Sequence, residues 1–190
     1  MKIMQVLPAM QGGGVERGTI ETATYLTQQN VPNVVVSAGG RMVPQLDAIS
    51  VKHILLDVGS KNPIKFVRNI YRLRAIIRQE NVTIVHARSR VPAWVCHFAL
   101  KKCPNVHFVT TFHGKYGTSP RWLKIPYNRV MTLSEKVIAV SKFIADHIVD
   151  TYHISKDKVR LIYRGADVDV FDPQKVADSD VQTLAKQWGV

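Results

Sequence analysis

Lys2-Ile3-Met4-Gln5-Val6-Leu7-Pro8, followed by Gln11-Gly12-Gly13-Gly14-Val15-Glu16-Arg17-Gly18, decides how the rest of the chain is read. A short apolar run stops at a proline, a glycine triplet turns the chain, and Val15 to Gln29 then carries helical periodicity. A strand, a glycine-rich turn and a helix open a β-α-β unit, and the alternation continues downstream. Val34–Val36 is a β-branched run that stops at Gly39-Gly40, and His53–Leu56 is a further strand. Asn62-Pro63 pairs an N-cap with proline at the first helical position and opens a helix to about Gln79. Within it Phe66, Ile70, Leu73 and Ile77 make one apolar face, while Lys61, Lys65, Arg68 and Arg72 fall on roughly the opposite one.

Thr83–His86 reads as the next strand, with a helix from Pro92 through Leu100 after it. His107–Thr111 is a strand leading into Phe112-His113-Gly114. A helical stretch from about Trp122 to Ser134, bent at Pro126, precedes the buried strand Val137–Val140. Ser141 caps a helix from Lys142 to about Tyr152 that turns Phe143, Ile144, His147 and Ile148 wholly or partly inward, and Val159–Ile162 is the last strand. Short strands separated by helices require crossovers. The predicted fold is therefore α/β, with a doubly wound, mostly parallel, Rossmann-like sheet covered on both faces. Such sheets bind ligands beyond the carboxyl ends of their strands, so the loops after the strands are where chemistry is expected.

The chain has 190 residues, 46% of them hydrophobic, enough to bury a full core and to exclude the disordered class. Cys96 and Cys103 form no C-x-x-C pair, and no Cys/His set has metal spacing, so two reduced thiols and no metal site are expected. No run approaches the roughly 18 apolar residues of a membrane span, and the opening lacks a cleavable-signal pattern, which predicts a cytoplasmic or peripheral protein. The formal net charge is +12, and it is concentrated: residues 61 to 130 hold 14 basic side chains and one acid, Glu80. Such a surface predicts an anionic partner, whether nucleic acid, anionic bilayer or phosphorylated ligand.

Three strand ends carry candidate binding groups. Gly12-Gly13-Gly14 lets backbone N–H groups approach an oxyanion at a helix N-terminus, although a tight turn alone would also call for glycines. It is neither a Walker A loop nor a clean G-x-G-x-x-G, and the second strand ends in Ser37-Ala38-Gly39 where an NAD site would place an acid. His113 can aim its imidazole into the crevice and donate to a phosphate or sugar hydroxyl, against the plain alternative of a surface loop histidine. Arg88 and Arg90, in Val85-His86-Ala87-Arg88-Ser89-Arg90, can face the same crevice and bind an acceptor or phosphate, whereas His86 reads as a satisfied half-buried residue. Ser141 and Lys142 are further candidates, with the helix cap as a complete structural explanation of Ser141.

Gly-Gly-Gly-Val-Glu-Arg after the first strand, Phe112-His113-Gly114, Val137-Ile138-Ala139-Val140-Ser141-Lys142-Phe143-Ile144 and Arg164-Gly165-Ala166-Asp167-Val168-Asp169-Val170-Phe171-Asp172-Pro173 occur in that order. In order and spacing they resemble the N-terminal domain of family 4 retaining glycosyltransferases of the two-Rossmann-domain, GT-B type, over essentially the whole chain. The resemblance implies an acceptor-side domain over residues 1–170, with residues 171–190 as hinge and lead into a C-terminal donor-binding domain. It implies a nucleotide-sugar substrate, UDP- or GDP-linked, no other cofactor and no metal. It places Gly13 and Gly14 against the donor diphosphate and gives His113 the catalytic contact to the transferred sugar or its phosphate. Arg164 stands where the family's hinge motif has Asn. No Glu follows Glu135, so the family's Glu-x7-Glu donor motif is absent from these residues, which alone are expected to be inactive.

Lys61, Lys65, Arg68, Arg72, Arg121, Trp122 and Lys124 suit contact with an anionic membrane, since aromatic side chains favour the headgroup level and cations the surface potential. The function implied is sugar transfer with retention to a lipid-linked or lipopolysaccharide-type acceptor at the inner face of a bacterial membrane. The alternatives are a non-catalytic phosphate-ligand module and a nucleic-acid-binding domain. Against the latter, the chain has no helix-turn-helix, RNP, KH or zinc pattern, and its aromatics are not arranged as a stacking sheet.

Overall fold

The computed structural model describes residues 1–165 and 172–189. Its seven strands are β1 (Ile3–Val6), β2 (Asn33–Ser37), β3 (Lys52–Leu55), β4 (Ile84–Ala87), β5 (His107–Phe112), β6 (Lys136–Ala139) and β7 (Val159–Leu161). All pair in parallel, in the order β3-β2-β1-β4-β5-β6-β7. The order reverses at β1, which lies between β2 and β4, so the switch point opens at the carboxyl ends of β1 and β4. The doubly wound architecture read from the sequence is the one observed.

Alternate side chains of the central strands enter two cores. Met4, Val6, Val85, Ala87, Phe112 and Val137 face the larger one. It is closed by Leu73 and Ile77 of α3 (Pro63–Gln79), Val95 and Cys96 of α4 (Arg90–Leu100), and Ile144, Ile148 and Tyr152 of α6 (Lys142–Tyr152). Burial of Leu73 and Ile77 contributes roughly 1.5–3 kcal/mol each. On the other face Leu7 and Val35 pack under Ala23 of α1 (Gly14–Gln28) and Leu46 of α2 (Val43–Asp47). Both cysteines are free and buried.

The Asn62 cap is present: its side chain accepts from the N–H groups of Ile64 and Lys65, both at 3.0 Å, an arrangement that contributes about 1 kcal/mol. Lys61, Lys65, Arg68 and Arg72 are exposed, as their helical spacing requires, and Lys65 lies 3.9 Å from Asp57.

Two local readings are corrected, and one short helix is added to them. The stretch 122–134 is not one bent helix but α5 (Arg121–Asn128) followed by a 3-10 turn over Arg129–Thr132, because Pro126 withholds an N–H from the ladder and the chain tightens after it. Phe143 points outward and is 65% exposed, since the register that buries Ile144, Ile148 and Tyr152 leaves position 143 on the open side. α2, five residues with Pro44 inside it, is too short to show a periodicity. The final helix, α7, runs Asp178–Trp188. The proposed domain boundary at 170/171 and the motif residues Ala166–Phe171 lie outside the described residues, as does Val190. Among the described residues no helix is long and apolar enough to cross a membrane.

Candidate active site at the strand switch point

After β1 the chain reaches the glycine triplet. Gly12 and Gly13 have φ of +155° and +143°, a region L side chains rarely occupy, so this turn needs glycine. The loop is held from the neighbouring β2–α2 connection, whose Arg41 Nε–H donates to the Gln11 carbonyl. Gly13 then closes the first turn of α1 by accepting from the Arg17 N–H at 3.0 Å. Gly12, Gly13, Gly14, Arg17, Arg41 and Gln45 line a cavity of about 590 Å³. Backbone N–H groups at the positive end of α1 and two guanidiniums make this wall suited to a diphosphate.

The crevice beside it is built from β1, β4 and β5. Arg88, the residue after β4, is 5% exposed. Its Nε–H donates to Gln5 Oε1 and its Nη2 to Thr22 Oγ1, each at 2.8 Å, so a strand residue under α1 and a residue on α1 orient it. Gln5 itself is fixed by donating to the Thr19 carbonyl at 3.1 Å. Neither direct partner of Arg88 is charged, and burial together with the Arg164 cation brings its pKa down to about 10, leaving it a cation at neutral pH. The Glu21 carboxylate offsets part of this without hydrogen bonding to it, and a buried cation bonded only to neutral groups favours an anion in direct contact.

His113 follows β5 and is half-buried. Its Nε2 is buried and has no hydrogen-bond partner among the described residues. Burial, then the Arg88 and Arg164 cations, lower its pKa to about 4, so it is a neutral imidazole at pH 7. His86 behaves differently: it is buried, its Nε2 shares a 2.7 Å hydrogen bond with Thr111 Oγ1, and desolvation holds its pKa well below the usual value. It is a satisfied core histidine, whereas His113 has an unfilled nitrogen, as His147 on α6 also does.

This has a pH consequence. In the unfolded chain His113 titrates near pH 6.5, in the folded chain near 4, so between those values the unfolded state binds more protons and stability rises with pH. Lowering the pH from 7 to 5 is expected to cost about 2 kcal/mol through His113 alone. Chemical denaturation of His113→Asn should show a correspondingly flatter pH profile than the parent.

The other candidates separate. Arg90 turns away from Arg88: its guanidinium stacks 4.5 Å from the Tyr116 ring centroid and 5.6 Å from that of Tyr127, and Nη1 donates to Asn128 Oδ1 at 3.1 Å. The Ser141 hydroxyl caps α6 by accepting from the Ile144 N–H at 3.2 Å, and Lys142 pairs with Asp146 at 2.7 Å. Arg121 and Trp122 are exposed on α5, Trp122 by 78%, and Lys124 is half-buried in a groove beside Arg90.

The model of the family described as Glycosyltransferase Family 4 matches residues 12–170. The chain belongs to that family. Among solved structures it is similar to a glycosyltransferase from Rickettsia africae ESF-5, with 41% identity and a TM-score of 0.82 over 100% of this chain and 49% of that one. It is also similar to Anabaena HepE in complex with UDP and glucose, at 18% identity and a TM-score of 0.74 over 100% of this chain and 50% of that one. The apo lipopolysaccharide outer core galactosyltransferase WaaB matches at 15% identity and a TM-score of 0.69, over 88% of this chain and 47% of that one. The two distant likenesses are of fold. This chain spans about half the length of these structures, and its sheet fits the N-terminal half of a GT-B architecture. Among curated proteins no significant match is found.

Arg164, where the sequence resemblance leads one to expect Asn, is anchored on α1. In this chain its Nη1 donates to the Gly14 carbonyl and its Nη2 pairs with Glu21 at 3.2 Å, while a Cβ on Gly18 would lie 3.0 Å from its guanidinium. The segment after β7 is thereby tied to the first turns of α1. Sequence reading gives Gln5, Glu21, Thr22 and Arg41 no role in the site and Gly40 only that of ending a strand, although all five position this site. Gly39-Gly40 carries the one visible signal, a glycine pair directly after a strand.

Proposed function

We propose that residues 1–170 form the acceptor-side domain of a retaining glycosyltransferase, and that residues 171–190 lead into a donor-binding domain. The reaction transfers a sugar from UDP- or GDP-sugar to a lipid-linked or lipopolysaccharide-type acceptor. Family membership supports the reaction class, and one observation carries the site: the buried, unpartnered Nε2 of neutral His113 beside the Arg88 and Arg164 cations at the switch point. A group of that kind, in a crevice that favours anions, suits hydrogen bonding to a sugar hydroxyl or a departing phosphate.

In the proposed step the bond between the sugar anomeric carbon and the diphosphate oxygen breaks, with the electron pair leaving on the diphosphate. The acceptor hydroxyl oxygen bonds to the same face of that carbon, and its proton passes to the departing diphosphate. Gly13 and Gly14 stabilise the leaving group through the glycine-loop wall, and His113 holds the sugar or its phosphate in line. UDP and UDP-sugar complexes of Anabaena HepE support a nucleotide-sugar donor. The exposed basic and aromatic side chains of α3 and α5 support a peripheral position on an anionic membrane. The anomeric configuration of product formed by a polypeptide containing both halves tests the reading: proton NMR is expected to give the configuration of the donor, and inversion would overturn it.

A further inference from the structure

A second concavity, of about 600 Å³, lies between α3, α4 and α5. Phe66, Trp94, Leu123 and Tyr127 give it apolar and aromatic walls. That lining is fixed from behind: Trp94 stacks on Phe98 at 5.7 Å between centroids, Phe66 meets Phe98 edge-on at 6.2 Å, and the Trp94 indole N–H donates to the Tyr127 carbonyl at 3.1 Å. Lys61, Arg90 and Lys124 also line the groove, and among the described residues no acidic side chain does. Among the described residues none of these three cations forms an ion pair.

The groove adjoins the crevice. Ser89 and Arg90 line it directly after Arg88, and the ring on which Arg90 stacks, Tyr116, is three residues beyond His113. Outward along the same helices the apolar character continues: Ile64 is 78% exposed, Val67 51% and Trp122 78%. An aromatic cleft carrying unneutralised cations, open to exposed apolar side chains, complements a molecule with an anionic head and a hydrocarbon tail.

We propose that this groove is the acceptor-lipid site, with the phosphate of an isoprenoid-type phospholipid on Lys61, Arg90 and Lys124 and the first units of its chain against Phe66, Trp94 and Leu123. The assignment rests on the transferase reading and deepens it, since it makes the lipid phosphate, rather than the sugar, the part this half recognises. The remainder of the chain leaves past Ile64, Val67 and Trp122, where a bilayer would receive it. A single lipid is thus drawn from the membrane with its head toward the crevice at His113.

Calorimetric titration of the 190-residue protein with monomeric farnesyl diphosphate tests this. Saturable one-to-one binding is expected, at least tenfold tighter than farnesol or inorganic diphosphate. The double variant Lys61→Glu/Lys124→Glu, and separately Leu123→Asp at a half-exposed position, should each weaken binding tenfold or more. Lys156→Glu, an exposed charge reversal outside the groove, should not. Inorganic diphosphate binding as tightly as the farnesyl ligand would overturn the proposal, as would undiminished binding in folded Lys61→Glu/Lys124→Glu. Equal loss in Lys156→Glu would reduce the effect to net charge and overturn it too. No sugar transfer enters this measurement. Lipid binding without transfer in a two-half enzyme would remove the enzyme reading alone, and transfer only to water-soluble acceptors without lipid binding would remove the groove alone.

Discussion

Replacing His113 by alanine in a polypeptide that carries both halves is expected to lower kcat by roughly 10²- to 10³-fold, the scale of losing one preorganised donor to developing charge. The expectation comes from its surroundings. Nε2 is buried and unpartnered, and burial, with the Arg88 and Arg164 cations adding to it, keeps the ring neutral at pH 7. A neutral ring there contributes one directed hydrogen bond and no net charge, so the loss should appear in kcat while acceptor affinity, set in the groove on α3–α5, stays nearly constant. His113→Asn, which keeps a side-chain N–H, should recover part of the rate, and Arg88 should be less forgiving because Gln5 and Thr22 lose a partner with it. Steady-state rates decide: an unaltered kcat in His113→Ala would remove the histidine from the reaction.

Gly40→Ala is expected to destabilise the fold by about 3 kcal/mol, combining a strained backbone with overpacking. Gly40 has φ +144°, and a Cβ there would lie 2.5 Å from Met10 O and 2.8 Å from Gln11 N. Those are backbone atoms of the segment that enters the glycine loop, already clasped by the Met10 N–H to Gly39 carbonyl and Met42 N–H to Met10 carbonyl bonds, both 2.8 Å. Nothing on that side is the flexible end of a side chain. Thermal unfolding should fall by roughly 6–12 °C for a domain of this size. Gly12→Ala is a useful contrast, since it too strains the backbone, at φ +155°, but its Cβ would meet only the Arg41 guanidinium, which can swing aside. An unchanged midpoint in Gly40→Ala would show that the Met10–Gln11 segment gives way.

How much was legible beforehand follows from which interactions are local. The strand and helix order was readable because each element carries its own period and punctuation. α3 shows this best: Asn62-Pro63 marks its start, and its observed span, Pro63–Gln79, is the expected one. His113 was accessible because a strand ending in His-Gly exposes the ring at the sheet's carboxyl edge. The sequence does not separate one bent helix over 122–134 from a helix and a turn, because whether a proline bends a helix or ends it depends on what the next turn packs against. The positions that support the site were invisible for a related reason. Gln5 looks like a polar interruption of an apolar strand until Arg88, 83 residues later, takes its carbonyl oxygen. Arg164 pairs with Glu21 across 143 residues, and no window of sequence holds both. Arg88 and Arg90 were grouped by adjacency, yet the turn into α4 sends one under α1 and the other onto Tyr116.

On the proposed reading these residues supply the acceptor side of family 4 sugar transfer and need a donor-binding half to act. A transfer assay with UDP- and GDP-sugars and a saccharide linked to an isoprenoid diphosphate as acceptor tests it on two proteins. One is the 190-residue chain, and the other is the same chain fused to the part of the Rickettsia africae glycosyltransferase that the structural match leaves uncovered. No glycosylated lipid is expected from the chain alone, and product is expected from the folded fusion. Product from the chain alone, or none from a fusion that folds and binds nucleotide, would contradict this reading.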